Sequence, residues 1–276
     1  MANGPDESGD TARVVRRHRA STRVWHWLNV VAVFTLLMSG LTIFNAHPRL
    51  YWGQYGANPD YAWLQIGARG GEGYLRVGSL RLHTTGVLGV WEKDGITWSR
   101  AFPHWMTLPS NYSLAAGRKY HFLGAWLLGI AGALYLLWSL ANRHVSRDLW
   151  PRRAELSPRH LWQDIKDHAR LRLPKGEAAA RYNTLQKLAY MGVLFVLLPL
   201  IVLTGLTMSP TMDAGWPWLL DLFGGRQSAR SIHFIAAMLI VLFIFVHLAM
   251  VVIAGPVNEI RSMITGRFRL PAEDKR

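Results

Sequence analysis

Four long segments of this chain carry no Asp, Glu, Lys or Arg, and they constrain its fold more than any other feature. A helix that crosses the apolar part of a bilayer needs about 20 predominantly apolar residues, and each segment reaches that length. The segments are Val24–Phe44, Tyr120–Leu140, Leu188–Thr207 and Ser231–Ala254. The sequence therefore predicts an all-α integral membrane protein, a bundle of four transmembrane helices.

Basic residues are divided unequally between the two sides that four helices would create. Residues 1–23, 141–187 and 255–276 would share one side and hold 21 Lys and Arg, whereas 45–119 and 208–230 hold 10. Because the two sides have similar lengths and a Lys/Arg excess marks the cytoplasm, both termini are predicted to be cytoplasmic. The same distribution accounts for the net charge of +14 without nucleic acid as a partner.

The predicted domain organisation follows from the spans. A cytoplasmic segment, 1–23, precedes a four-helix domain, 24–254, and a cytoplasmic tail, 255–276, follows it. Residues 1–12 are polar and acidic, and we expect them to be disordered. The first apolar run is too long for a cleavable secretory signal, so we expect the mature protein to retain it. Ser157-Pro158 predicts the start of a short helix in the cytoplasmic segment 141–187.

The predicted outer segment, 45–119, is long for a connection between two helices and is rich in aromatic residues. Alternating apolar residues in Tyr74–Leu82 and the short stretch Val87–Trp91 predict strands that form a small hairpin. A loop of this length is either functional or a small subdomain. Two interpretations remain open: the segment covers the bundle, or it is a docking platform for a periplasmic partner.

Four of the 11 histidines lie in the predicted spans, where an ionisable side chain is costly and indicates function. The alternating direction of the helices puts His26 and His247 near the cytoplasmic surface, and His121 and His233 near the outer surface. His233 and His247 are 14 residues apart, which places them on one helix face about 21 Å apart. Two stacked haems, each bound by two histidines, need this pattern.

Other chemistry for these histidines fits the sequence less well. Single membrane histidines often only form hydrogen bonds between helices, which leaves a haem-free membrane anchor as one interpretation. Zinc or copper would need a third ligand, which neither pair shows, and the chain has no cysteine to supply a thiolate. A proton pathway would add Asp or Glu within the spans, and the four segments have none.

A short repeat marks the outer ends of the first and third spans. Met38-Ser39-Gly40-Leu41-Thr42 resembles Leu203-Thr204-Gly205-Leu206-Thr207, which suggests close packing at both helix ends. Gly40 also lies 14 residues after His26 on the same helix face, so its missing side chain would let a porphyrin approach the backbone.

The remaining seven histidines are interpreted as non-functional. Ordinary surface positions are predicted for His18, His144, His160 and His168, and structural positions in the outer segment for His47, His83 and His104.

Several pieces of the chain, taken together, resemble the bacterial cytochrome b561-type subunits of formate dehydrogenase, nickel–iron hydrogenase and thiosulfate reductase. The pieces are Arg23–Trp27, Gly117–Phe122 and the pair His233 and His247. Two outer pieces, His47–Gly53 and Phe102–Trp105, are most similar to the thiosulfate-reductase branch. The similarity extends from about residue 17 to 265.

This resemblance implies a four-helix anchor in the bacterial inner membrane that holds two haem b groups and exchanges electrons with the quinone pool. It also implies that His26 and His247 bind one haem and His121 and His233 the other. The partner would be a periplasmic oxidoreductase, often of the molybdopterin type, or an electron carrier such as a cytochrome c. The long outer segment departs from the formate dehydrogenase type.

Polar residues near the span ends are candidates to contact the haems and the quinone. Arg23 and Arg118 each lie three residues before a span histidine, so they are candidates for haem propionates, or alternatively for membrane-interface anchors. A candidate quinone site is the cluster Asn183, Gln186, Lys187 and Tyr190 at the start of the third span. The alternative is that this cluster caps and anchors the helix.

The sequence thus predicts a membrane cytochrome b subunit that carries electrons between quinone and a periplasmic partner. A different class stays open: a self-contained membrane haem oxidoreductase in which superoxide or ferric ion reacts at the outer haem.

Overall fold

The computed structural model describes residues 14–143, 145, 147, 150–170 and 183–270. Four of its helical segments are long and apolar enough to cross a membrane, which confirms the predicted helical membrane protein. They are Ala20–Phe44 (α1), Leu114–Ala141 (α2), Thr184–Thr207 (α4 and α5) and Arg226–Ala254 (α8). Each begins four to six residues earlier than predicted. The reason is that backbone hydrogen bonding continues into charged residues, which a count of uncharged positions excludes.

The third span changes its helical pitch near its middle. Helix α4 (Thr184–Gly192) passes into a π-type turn, Val193–Leu197, before α5 (Leu198–Thr207). Pro199 lies in the first turn of α5 and has no backbone N–H to donate to the carbonyl four residues earlier. A wider turn accommodates this lost hydrogen bond.

Shorter helices and strands complete the described part of the chain. The helices are Pro158–Ala169 (α3), Pro210–Gly215 (α6), Trp218–Leu222 (α7) and Pro256–Thr265 (α9). The strands are Val14–Arg16 (β1), Arg49–Leu50 (β2), Leu64–Arg69 (β3), Glu72–Val77 (β4), Leu80–His83 (β5), Gly89–Lys93 (β6), Ile96–Arg100 (β7) and Arg267–Arg269 (β8). The short helix expected after Ser157-Pro158 is α3.

The chain divides into two compact units. The terminal unit comprises the described residues of Met1–His26, Tyr135–Val193 and Leu242–Arg276. The loop unit comprises Trp27–Leu134 and Leu194–Val241.

In the terminal unit, the two ends of the described chain pair with each other. Strands β1 and β8 form an antiparallel ladder. Arg17 donates to both carboxylate oxygens of Glu259 at 2.9 Å, and Arg23 donates to the carbonyl of Ile264 at 2.8 Å. The expectation of an ordinary surface position for His18 is wrong, since only 7% of this residue is exposed beside the ladder. From sequence alone, charged segments of this kind are interpreted as solvated tails. Their partners lie more than 240 residues away, so no local pattern indicates the contact.

In the loop unit, the segment between α1 and α2 contains more strands than a single hairpin. Four antiparallel strands lie in the order β2-β3-β4-β5, and β6 pairs separately with β7. Gly70 and Gly71 both adopt positive φ in the two-residue turn between β3 and β4, which a hairpin of this twist favours. The stretch Tyr74–Leu82 spans parts of β4 and β5 and is interrupted by a turn at Gly78.

This segment packs and bonds onto the first turns of α8. Its apolar core includes Leu50, Ile66 and Phe102, and Phe234 of α8 packs against that core. Trp63 donates its indole N–H to Ser231 Oγ at 3.0 Å, and Ser231 donates to a backbone carbonyl of the segment. The sheets are therefore fixed to the helix that carries His233.

Three predictions concern parts of the chain that the structure does not describe. The expected disorder of residues 1–12, the position of His144 and the side chain of His168 lie outside the described residues.

Candidate metal centres

Two pairs of histidines face each other, one pair in each unit. In the loop unit, the rings of His121 on α2 and His233 on α8 have centroids 6.3 Å apart, with 59° between their planes. In the terminal unit, the rings of His26 on α1 and His247 on α8 are 6.4 Å apart, with 55° between their planes. The sequence predicts the same two pairs, because the alternating direction of the helices puts the two members of each pair near the same membrane surface.

Both separations fit one metal ion held between two imidazoles. An imidazole nitrogen lies about 2.0 Å from a bound metal and about 1.2 Å from its own ring centroid, so two opposed rings are separated by about 6.4 Å. Within the described part of the chain, no group of three or more His, Asp or Glu side chains forms a candidate metal site. Each pair therefore offers two nitrogens, which is the number that a bis-histidine haem takes from the protein.

In the loop unit, hydroxyl groups and glycines of the neighbouring helices hold the histidine rings. Ser39 Oγ lies 3.1 Å from Nδ1 of His121, and Thr204 Oγ1 lies 3.0 Å from Nδ1 of His233. A Cβ placed on Gly40 would lie only 3.3 Å from Cε1 of His121. The predicted gap at Gly40 therefore accommodates the histidine ring itself, and its contact with a porphyrin stays a prediction.

The repeat around Ser39 and Thr204 is visible in the sequence, but its contacts with the histidines are not. The Gly205 position matches Gly40, since a Cβ there would lie 3.4 Å from Cε1 of His233. The repeated Ser/Thr-Gly-Leu-Thr pattern was the signal that pointed to these residues.

In the terminal unit, an aromatic ring packs against the other pair. Phe243 stacks on His247 with centroids 6.0 Å apart, and Tyr190 meets Phe243 edge-on at 6.2 Å. Trp25, adjacent to His26, stacks on Tyr135 at 5.1 Å. His247 thus packs on a flat apolar side chain.

The two arginines predicted to contact haem propionates differ in their surroundings. Arg23 is partly buried, and its Nε is buried without a hydrogen-bond partner among the described residues. Such an atom fits an acceptor supplied by a bound group. Arg118 is exposed at the start of α2. Both assignments stay predictions.

The predicted quinone residues are partly engaged in holding the third span. Asn183 and Gln186 form a reciprocal capping box at the start of α4. Lys187 donates to both carboxylate oxygens of Glu155 at 2.9 Å. Burial acts to raise the pKa of Glu155, but hydrogen bonds from Lys187 and the Arg152 backbone outweigh it and keep this pKa below its ordinary value. The alternative role as helix cap and anchor therefore describes these three side chains.

Three histidines of the 45–113 segment have contacts that suit a structural role. His47 lies 3.2 Å from the Tyr51 hydroxyl, and burial, with nearby arginines, lowers the pKa of His47. His104 packs on Trp91 at 5.7 Å. His83 is exposed and lies 2.9 Å from the Thr85 hydroxyl.

The family of prokaryotic cytochrome b561 proteins matches residues 17–266. The chain belongs to this family. It is therefore a multi-pass membrane protein of the cytochrome b type, which binds haem b and transfers electrons as a subunit of an oxidoreductase. The family predicted from the histidine motifs is confirmed.

Three relatives have similar sequences. The putative protein-methionine-sulfoxide reductase subunit YedZ1 of Azospira oryzae is 29% identical over 234 residues, covering 85% of this chain and 89% of that protein. The probable Ni/Fe-hydrogenase B-type cytochrome subunit of Cupriavidus necator is 22% identical over 284 residues, covering 96% and 93%. The putative cytochrome YdhU of Escherichia coli is 36% identical over 92 residues, a third of each chain. No solved structure matches this chain. These names do not mention thiosulfate reductase, so that branch stays a prediction.

Proposed function

We propose that this cytochrome carries electrons across a bacterial inner membrane through two haem b groups, between the quinone pool and a redox partner outside the cytoplasm. His26 and His247 would hold one haem, and His121 and His233 the other. The two nearly equal ring separations, 6.4 and 6.3 Å, carry the proposal, because each leaves room for one iron between opposed imidazoles. Haem supplies the one-electron chemistry when bound.

The protein's own residues would set the conditions for this transfer. The imidazoles provide two neutral nitrogen ligands for each iron, and the apolar helices exclude water from both centres. Arg23 would place a positive charge near the His26–His247 centre, one helical turn before His26. Because haem propionates are anionic, this charge would favour one orientation of the cofactor.

The orientation that we propose has both termini in the cytoplasm. The excess of Lys and Arg in residues 1–23, 141–187 and 255–276 supports this orientation. It would expose the 45–113 segment to the periplasm. Because that segment is hydrogen-bonded to α8 through Trp63 and Ser231, a partner docked on it would sit on a rigid support next to His233.

We propose that the partner is a soluble or peripheral oxidoreductase, such as one of the molybdopterin type, or a cytochrome c. The relative from Azospira oryzae is named as a reductase subunit and that from Cupriavidus necator as a hydrogenase subunit. Both names describe a subunit of an oxidoreductase rather than a complete enzyme. This favours an electron-transfer subunit over a self-contained oxidoreductase that reacts with superoxide or ferric ion.

We place the proposed quinone site beside the His26–His247 pair, at Tyr190. Asn183, Gln186 and Lys187 hold the start of α4, so Tyr190 is the member of the predicted cluster that reaches the aromatic contacts of His247. Quinol oxidation releases protons, and a phenol at the edge of the site is suited to hydrogen-bond the quinone oxygen.

The decisive experiment is a dithionite-reduced minus oxidised spectrum of the detergent-purified protein, with haem quantified per polypeptide. We expect two b-type haems. His121→Ala or His233→Ala should remove one haem, and His26→Ala or His247→Ala the other. The pairing is refuted if His26→Ala and His121→Ala remove the same haem and spare the other one. A protein that binds no haem, even after reconstitution, would leave a membrane anchor only.

A further inference from the structure

The repeated pattern Ser/Thr-Gly-Leu-Thr occurs on two different helices and meets two different histidines. On α1, Ser39 lies 3.1 Å from Nδ1 of His121, and on α5, Thr204 lies 3.0 Å from Nδ1 of His233. Ser39 and Thr204 are both fully buried. The hydroxyl is followed in each case by a glycine against the same ring. Two helices thus present the same small site to the two ligands of one centre.

The direction of the hydrogen bonds can be derived for His121. Ser39 Oγ lies 2.5 Å from the carbonyl oxygen of Thr35, to which it can only donate. A serine hydroxyl has one proton, so its oxygen accepts from Nδ1–H of His121. The Leu36 carbonyl, 3.1 Å from the same nitrogen, is a second acceptor. Nδ1 therefore carries the proton, and Nε2 keeps the lone pair that binds a metal.

The same derivation holds for His233. Thr204 Oγ1 donates to the Leu200 carbonyl at 2.7 Å and therefore accepts from Nδ1–H of His233. Each ring thus has a buried hydroxyl as the acceptor for its Nδ1–H, supplied at matching positions of two helices.

We propose that Ser39 and Thr204 are positioning residues that hold His121 and His233 with Nε2 toward the iron and lower the reduction potential of the haem bound there. This inference rests on the proposed function, since it assumes a haem at this pair. An acceptor on the outer ring nitrogen makes the ligating nitrogen more basic. A more basic ligand stabilises ferric iron relative to ferrous iron, and hydrogen bonding around a haem thereby tunes its potential.

The test is a redox titration of the purified, haem-loaded protein followed by its b-type absorbance. Thr204→Val should shift one haem toward its reduced form by about tenfold in the equilibrium constant, which equals the smallest effect on metal affinity or activity typical for loss of a hydrogen-bond partner of a metal ligand. Tenfold corresponds to about 59 mV for a one-electron couple. Ser39→Ala, on the other helix, should move the same haem in the same direction. The second haem should keep its potential in both variants.

Two further variants separate hydrogen bonding from packing. Thr204→Ser keeps the hydroxyl and should restore a potential close to that of the wild type. Thr207→Val is the matched control, since Thr207 is equally buried and its hydroxyl donates to the Thr204 carbonyl. The electron paramagnetic resonance signal of the ferric haem should change in Thr204→Val and stay unchanged in Thr207→Val, because ring orientation affects that signal.

The outcomes distinguish this inference from the function on which it rests. A wild-type protein with two haems whose potentials are the same in Thr204→Val and Ser39→Ala would overturn the inference alone. Equal shifts in Thr204→Val and Thr207→Val would also overturn it, since packing would then explain the effect. A wild-type protein without haem would overturn the proposed function first.

Discussion

Adding one methyl group at Gly40 should weaken haem binding at the His121–His233 pair and leave the protein folded. The new Cβ would lie 3.3 Å from Cε1 and 3.6 Å from Nδ1 of His121. Comfortable carbon–carbon contacts are about 3.5–4.0 Å, so the ring must move by a few tenths of an ångström. Overpacking of this kind costs about 1–3 kcal/mol, and Ser39 and Leu36 leave the ring little freedom to move.

Two opposing effects act in Gly40→Ala, and they act on different equilibria. Alanine favours a helix over glycine by about 0.5–1 kcal/mol, which offsets part of the strain in the stability of the fold. The displaced His121 ring affects haem affinity directly. If displacement of the His121 ring costs about 1 kcal/mol of binding free energy, the affinity of this haem should fall about fivefold. The protein should therefore melt near the wild-type temperature and lose one haem more readily.

The assay is haem loss to an excess of a haem-scavenging apoprotein, followed spectroscopically for each haem. Gly129→Ala is the matched control on α2, since a Cβ there meets nothing within 4 Å. Gly205→Ala should fall between the two, because its Cβ would lie 3.4 Å from His233. If Gly40→Ala retained its haem as well as Gly129→Ala does, the close approach of Gly40 to the His121 ring would be refuted.

Three other predictions concern different parts of the molecule. The folded-state pKa of Glu155 lies below its unfolded value of 4.5, so the stabilisation by the Lys187 ion pair should be complete above about pH 4.5 and lost as the pH falls further. Melting temperatures between pH 3 and 7 test this, and Glu155→Gln should remove that part of the pH dependence. Trp63→Phe breaks the hydrogen bond to Ser231 and should lower the free energy of unfolding by about 1 kcal/mol with both haems retained, measured by denaturation and haem content. Tyr190→Phe should raise the KM for quinol with unchanged haem spectra, whereas an unchanged KM would argue against a quinone contact there.

The sequence was sufficient to predict the helices and the histidine pairs for physical reasons. A lipid environment requires long uncharged segments, so the four spans are visible without any knowledge of packing. A spacing of 14 residues is close to whole helical turns, which places His233 and His247 on one face. The helix ends were less predictable, because helical hydrogen bonding does not stop where charged residues begin.

Contacts between distant parts of the chain were not predictable. Arg17 and Glu259 are 242 residues apart, and neither residue carries a local pattern that names the other. At the start of α4, the sequence could predict only a contact between near neighbours, because Asn183 and Gln186 have the spacing of a capping box. The same residues were also candidates for quinone, since a polar side chain near a span end fits both roles until its partners are known.

The Ser/Thr-Gly-Leu-Thr repeat was partly predictable: the sequence shows the repeat but not its contacts. These contacts determine how His121 and His233 are held. Its recurrence was visible in the sequence, but its purpose depends on which helices are neighbours. Ser39 on α1 holds a histidine of α2, and Thr204 on α5 holds a histidine of α8. His121 and His233 are thus oriented within two separate helix pairs, each with its own hydrogen bond. Haem would then join two halves whose ligands are already aimed at the iron, so that binding requires little reordering of either ring.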